Sequence, residues 1–187
     1  MTLEPGTHTL GPTDGTLIVL TGKGGAAAKA GHDLTIEVSR WSAKIEAGET
    51  VSLALTADPR SLRVVDGSGG ISPLGDDEKQ GIAQTIDEEV LKGVPIRFRS
   101  SLVETSGSRL DVRGELELMR VRNPVEFALN LDDDGRLTGS AMVKQTDWKM
   151  KPFSALFGTL KVADVVEVQI DARISAPVTA TRSERDG

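Results

Sequence analysis

The stretch SRLDVRGELELMRVRNPVEFALNLDDDGRLTGSAMVK, Ser108 to Lys144, alternates apolar and polar residues across three consecutive segments. Leu110, Val112, Leu116 and Leu118 fall on one side of the first, and Asp111, Arg113, Glu115 and Glu117 on the other. Val125, Phe127, Leu129 and Leu131 repeat the pattern, as do Leu137, Gly139, Ala141 and Val143. A period of two is that of β-strands with one wet face and one buried face. Short turns separate the segments, so successive strands pair as an antiparallel meander. Asp132-Asp133-Asp134-Gly135 reads as a charged hairpin turn with Gly135 at positive φ, and Asn123-Pro124 as a second turn. The aspartates are not a calcium loop, which alternates its ligands and closes on a glutamate where this chain has Val143.

The pattern extends outward from this meander. Upstream, Leu34, Ile36 and Val38 alternate with polar residues, as do Trp41, Ala43 and Ile45, then Val51, Leu53 and Leu55, until Asp58-Pro59 breaks the strand. Thr16–Thr21 is a continuous apolar run and Thr7–Leu10 a short opening strand. Ile96, Phe98, Ser100 and Leu102 begin the long strands, and Val166, Val168, Ile170, Ala172 and Ile174 close the series. Between them the period changes: Ile82, Ile86 and Val90 lie four apart behind Asp76-Asp77-Glu78, which predicts an amphipathic helix over Asp76–Leu91 ended by Gly93 and Pro95.

About eight strands and one helix point to a mainly β, antiparallel, up-and-down barrel. Strand length favours a barrel over a sandwich, since Leu110 to Leu118 spans about 30 Å at ~3.4 Å per residue. Eight strands enclose room for one small ligand or for a filled core. The expected domain runs over residues 7–176, with 1–6 and 177–187 as flexible ends.

The chain has 187 residues, a formal charge of −6 and no cysteine. The charge argues against a nucleic-acid partner. The missing cysteines exclude disulfides, thiolate nucleophiles and zinc–thiolate sites. With no apolar leader segment and no stretch of ~20 apolar residues, the expectation is a soluble, cytoplasmic protein. There are two tryptophans, four phenylalanines and no tyrosine, so the interior is either filled by aliphatic residues or left partly open.

No motif announces catalysis. Gly22–Ala30 lacks the hydroxyl residue after lysine that a phosphate loop uses for magnesium, and a strand follows it rather than a helix, so it reads as a flexible hairpin connection. His32-Asp33 is the one acid–base pair, but neighbours on a strand point to opposite faces. His8 and His32 have no metal-ligand spacing. Lys144, Lys149 and Lys151 surround Trp148, with Phe153, Leu156 and Phe157 beyond. That cluster is either ordinary core and surface or a rim where an apolar ligand enters from an anionic membrane.

Several segments in order resemble the YceI-like family: Gly31-His32-Asp33-Leu34 leading into Trp41-Ser42-Ala43; Asp58–Val65; Glu89-Val90-Leu91; Pro95–Ser100; Gly114–Leu118 with Asn123-Pro124-Val125; and Trp148…Pro152-Phe153…Phe157-Gly158-x-Leu160-Lys161-Val162-x-Asp164. Members often carry glycine where this chain has Arg120 and Lys149. The resemblance implies a lipocalin-like barrel and a non-enzymatic binding protein for an isoprenoid or another lipid, without cofactor or metal. The ligand-facing residues expected on this basis are Leu34, Ile36, Phe98, Leu110, Val112, Leu116, Phe127, Leu129 and Val143, with His32 and Trp148 near an opening. An enzyme using His32 as acid or base in the same cavity, and a filled barrel serving a structural or stress-related interaction, are the alternatives. Transient membrane contact and a homodimer through exposed strand faces are compatible with the pattern.

Overall fold

A computed structural model describes residues 3–174 and shows a mainly β, antiparallel curled sheet with one helix. The strands are β1 (Gly6–Leu10), β2 (Gly15–Thr21), β3 (Lys23–Gly24), β4 (His32–Val38), β5 (Trp41–Ala47), β6 (Val51–Ala57) and β7 (Leu62–Gly69). After helix α1 (Asp76–Thr85) come β8 (Ile96–Ser106), β9 (Arg109–Leu118), β10 (Val121–Leu131) and β11 (Arg136–Lys144). The last are β12 (Ser154–Ala155), β13 (Leu160–Val162) and β14 (Val165–Arg173). The C-terminal stretch 177–187, expected to fray, lies outside the described residues. The N-terminal end is engaged from Leu3, which packs on the core, and the Glu4 carbonyl accepts a hydrogen bond from His8 Nε2 at 2.8 Å.

Eleven strands form one sheet in the order β1-β5-β6-β8-β9-β10-β11-β14-β2-β4-β7. Three pairs of segments are long strands broken at one level. β1 and β2 both run antiparallel to the β4–β5 path, itself interrupted at Ser39-Arg40, with Leu10 opposite Ala43 and Ile18 opposite Glu37. β6 and β7 cover the same path on its other side, with Ala57 opposite Trp41 and Leu62 opposite Val38. Traced through these breaks, the eleven segments make eight long strands. The β14–β2 ladder then brings the sheet round to its beginning. The main sheet therefore differs from the expected count only by the breaks, and β3, β12 and β13 add a second, three-stranded sheet.

The bend has a polar clasp. Ser61, buried at 3% exposure, accepts from the Arg40 backbone N–H at 2.9 Å and donates to the Asp58 carbonyl at 2.7 Å. Its own carbonyl accepts from the Ser39 amide and hydroxyl. The Arg60 amide and the Arg40 guanidinium both donate to the Asp58 carboxylate and hold its pKa below the ordinary 3.8. A break of three ladders would strand several backbone groups, and these bonds satisfy them.

Two local readings change. A bulge between Ser100 and Leu102 shifts the β8–β9 register, so Leu102 faces out, 43% exposed, and Val103 turns in opposite Val112. The hairpin turn before β10 is Met119-Arg120, both at left-handed φ (50° and 63°), as a two-residue primed turn requires. Asn123 and Pro124 lie inside β10 instead. Leu118–Val121 closes the turn and Pro124 pairs with Glu115 three positions on, at a non-hydrogen-bonded site where a missing N–H costs nothing toward β9. The ladder to β11 starts only at Ala128. The Asp132–Gly135 turn forms as expected, with Gly135 at φ 77° and Asp132 Oδ1 accepting from the amides of Asp134 and Arg136.

The outer face carries ion pairs across the ladders. Glu117 on β9 lies between Arg97 and Arg122 of the flanking strands, and Arg122 chiefly holds its carboxyl below the usual range. Arg136 pairs with Asp171 between β11 and β14. Inside, Leu10, Ile45, Val112, Leu131, Leu137 and Ala172 pack as a core at one end of the barrel.

Ser61→Ala removes the hydroxyl's hydrogen bonds to Arg40 and Asp58 at a buried site and is expected to lower unfolding stability by about 1–3 kcal/mol in urea titrations. Arg120→Gly relieves a left-handed non-glycine residue and is expected to raise stability by about 1 kcal/mol in the same measurement. Lowering the folded-state pKa of Asp58 gives stability that is present above about pH 4 and lost as pH falls through the lowered value. Asp58→Asn is therefore expected to flatten the acid limb of the stability curve relative to the parent protein.

Candidate functional site

The inward faces enclose an apolar cavity of about 690 Å³. Its size follows from what the strands place inside. Gly114 on β9 has no side chain to offer, and a Cβ there would lie 2.6 Å from Phe98 Cζ. The Phe98 ring fills that gap and meets Phe127 edge-on, ring centroids 5.3 Å apart. Two strands along, Gly139 and Ala141 of β11 leave the wall thin. Leu10, Ile45, Leu129 and Leu137 line the cavity toward the packed end.

Of the expected ligand-facing residues, His32, Leu34, Ile36, Phe98, Leu116, Phe127, Leu129 and Val143 line the cavity. Three do not. Leu110 and Val112 are buried in the packed end of the barrel, where inward side chains meet, and contribute core instead of wall. Trp148 is not at an opening. Its ring is 3% exposed and its indole N–H donates to the Leu116 carbonyl at 2.7 Å, fixing the turn after β11 against β9. Asn123 helps by donating to the Asp147 carbonyl at 2.6 Å.

The walls also include residues that period-two reading of the central meander missed. Val166, Val168 and Ile170 come from β14, whose alternation is visible in the sequence. Ile82, Ile86 and Val90 come from the helix, where the four-residue spacing marks a stripe without saying that it faces a void. The helix is α-helical over Asp76–Thr85 and continues as a π-helical turn over Ile86–Leu91, ending at Lys92 and Gly93 with positive φ. Glu78 accepts from the Gly75 amide at 2.8 Å and caps its start. Met150 and Phe153 join the wall from an irregular segment with no periodicity to read.

The cavity's charged wall residues are Lys23, Glu78 and Lys161; Lys23 and Lys161 lie with His32 at the end of the barrel opposite the packed core, its mouth end. A second sheet, β12-β13-β3, lies there. Gly22–Ala30 is thus no loose connection: β3 pairs with β13, and the Ala27 amide donates to the Thr159 carbonyl at 2.8 Å. His32 Nε2 donates to the Ser72 carbonyl at 2.8 Å, and Gly70, at φ 75°, packs against its ring, where a Cβ would sit 2.1 Å from Nε2. Asp33 points the other way. Its carboxylate accepts from the Lys23 amide at 2.9 Å and pairs with Lys23 Nζ at 3.3 Å, which holds its pKa low. The histidine and the aspartate are therefore each committed to a different partner. His8 sits at the far end of the barrel, and no group of three or more His, Cys, Asp or Glu comes together as a metal site among the described residues. No helix among them is long and apolar enough to cross a membrane.

Comparison with known proteins agrees with this geometry. BcnA of Burkholderia cenocepacia superposes with a TM-score of 0.58 at 13% identity, covering 87% of this chain and 96% of that one. Two mutants of the CJ YCEI protein, one with a monobromobimane guest, superpose with a TM-score of 0.53 at 14% identity, over 75% of this chain and 84% of theirs. At such identity the likeness is one of fold. No curated protein matches the sequence. The model of the YceI-like domain matches residues 37–174, from the end of β4 to just past the last strand, and the chain belongs to that family.

Proposed function

We propose that this protein is a non-catalytic carrier that holds a long apolar molecule, an isoprenoid or another lipid, inside the barrel. The observation that carries the proposal is the continuous apolar cavity of about 690 Å³, within the size range of small-molecule sites. Members of the family are generally binding proteins, and the barrel wall supplies the means. Affinity comes from apolar surface removed from water, about 0.8 kcal/mol for each buried methylene. It should therefore rise roughly fourfold per methylene along a homologous series until the cavity is full. The polar residues at the mouth leave the head of such a ligand near solvent while the chain lies along Leu34, Ile36, Phe98 and Phe127. Separate engagement of His32 and Asp33 favours a structural role for the histidine, anchoring the Gly/Ser loop to the start of β4.

Lipid extraction of natively purified protein followed by mass spectrometry identifies the cargo, and a fluorescent fatty-acid probe measures occupancy. Ala141→Phe places a ring in the cavity from a small inward position and is expected to weaken probe binding at least tenfold, with the thermal midpoint near that of the parent. A parent protein that neither carries lipid nor takes up any probe of the series overturns the carrier function.

A further inference from the structure

Charge is distributed unevenly around the mouth. Residues 21–31 contain Lys23 and Lys29, residues 148–163 contain Lys149, Lys151 and Lys161, and neither stretch contains an acidic residue, in a chain of net charge −6. The fold brings these stretches together. Lys161 and Val162 of β13 pair with Gly24 and Lys23 of β3, while Met150 and Phe153, flanking Lys151, line the cavity. Lys23 is engaged by Asp33; Lys29, Lys149, Lys151 and Lys161 are exposed.

The same surface presents large apolar side chains to water. Phe157, at the tip of the β12–β13 hairpin, is fully exposed and sits at a left-handed φ of 56°. Ile71, on the loop whose Ser72 carbonyl holds His32, is 87% exposed, and Phe153 is 40% exposed. An aromatic residue in a strained conformation that points its ring at solvent gains nothing within the monomer. Beside α1 the character reverses. Asp76, Asp77, Glu78, Asp87, Glu88 and Glu89 stand against Lys79 alone over Asp76–Leu91.

We infer that the lysine-rich segments around β3 and β13 dock the cavity mouth onto an anionic lipid bilayer. Phe157 and Ile71 enter the interfacial layer, and the lysines of the β3 and β13 segments meet the headgroups. The inference rests on the carrier function, because it brings the opening of the apolar cavity to the phase in which such cargo dissolves. Neither a single exposed phenylalanine nor scattered lysines would suffice; the two features coincide at the mouth end of the barrel.

The test is co-sedimentation of the full chain with vesicles of phosphatidylcholine alone or mixed with phosphatidylglycerol, at low and at raised salt. The parent protein is expected to sediment with the anionic vesicles only, and to be released by salt. Replacing Lys29, Lys149 and Lys151 together by glutamine is expected to weaken vesicle binding about a hundredfold, at roughly fivefold per lysine. Phe157→Ala is expected to weaken it about tenfold at unchanged salt dependence. None of these four residues lines the cavity, so both variants are expected to take up the fatty-acid probe like the parent. A parent that binds the probe but ignores anionic vesicles overturns the docking and leaves the carrier function standing. Variants that sediment like the parent overturn the assignment of the surface. A parent that binds anionic vesicles but no probe separates the opposite failure.

Discussion

The constraint on which this molecule depends is the continuity of backbone hydrogen bonding around the curled sheet. Every strand of the main sheet except β1 and β7 pairs with a neighbour on both sides, so the sheet comes round to its own first strands, and that closure sets the width of the interior. Width then has to be met with side-chain volume. The chain has six aromatic residues and no tyrosine, and it places glycine or alanine at inward positions such as Gly114, Gly139 and Ala141. At the packed end, Leu10, Ile45, Val112 and Leu137 meet and exclude space. Toward the other end they do not meet, and a cavity remains.

The two ends of the barrel are built by different physics. The packed end is an ordinary close-packed core, in which shape complementarity and burial dominate. The mouth is held by polar contacts and small sheets: His32 to Ser72, Lys23 to Asp33, β3 to β13. Such elements bury less apolar surface than the core and belong to the part of a fold that opens most readily. The bend clasped by Ser61 lies between them, where three neighbouring strands break together and the helix finds room beside β7.

Arg120 and Lys149 both have left-handed backbone, at φ 63° and 58°. Glycine suits those sites because it lacks the Cβ that makes this region costly. Here the hairpin at Met119-Arg120 and the turn after Trp148 are held by their surroundings, β9 pairing with β10 and the Trp148 indole bonded to Leu116.

Alternation from Ser108 to Lys144 determined by itself that the chain makes an antiparallel sheet with one dry face, because side-chain direction in a strand is set by the pleat alone. Helical spacing determined the element over Asp76–Leu91 for the same kind of reason. The family resemblance was likewise legible in the order of short segments. Tertiary structure alone decided which dry-face residues are wall and which are core: Leu110 and Leu116 lie on one strand with the same periodicity, and only their height in the barrel separates them. It also decided the phase of β8 after Ser100, where a bulge inserts one residue and turns Leu102 outward, and the fate of Pro124, tolerated in a strand because its nitrogen faces no partner. Those outcomes depend on what lies across the barrel or on the next ladder, and a local pattern carries no information about either.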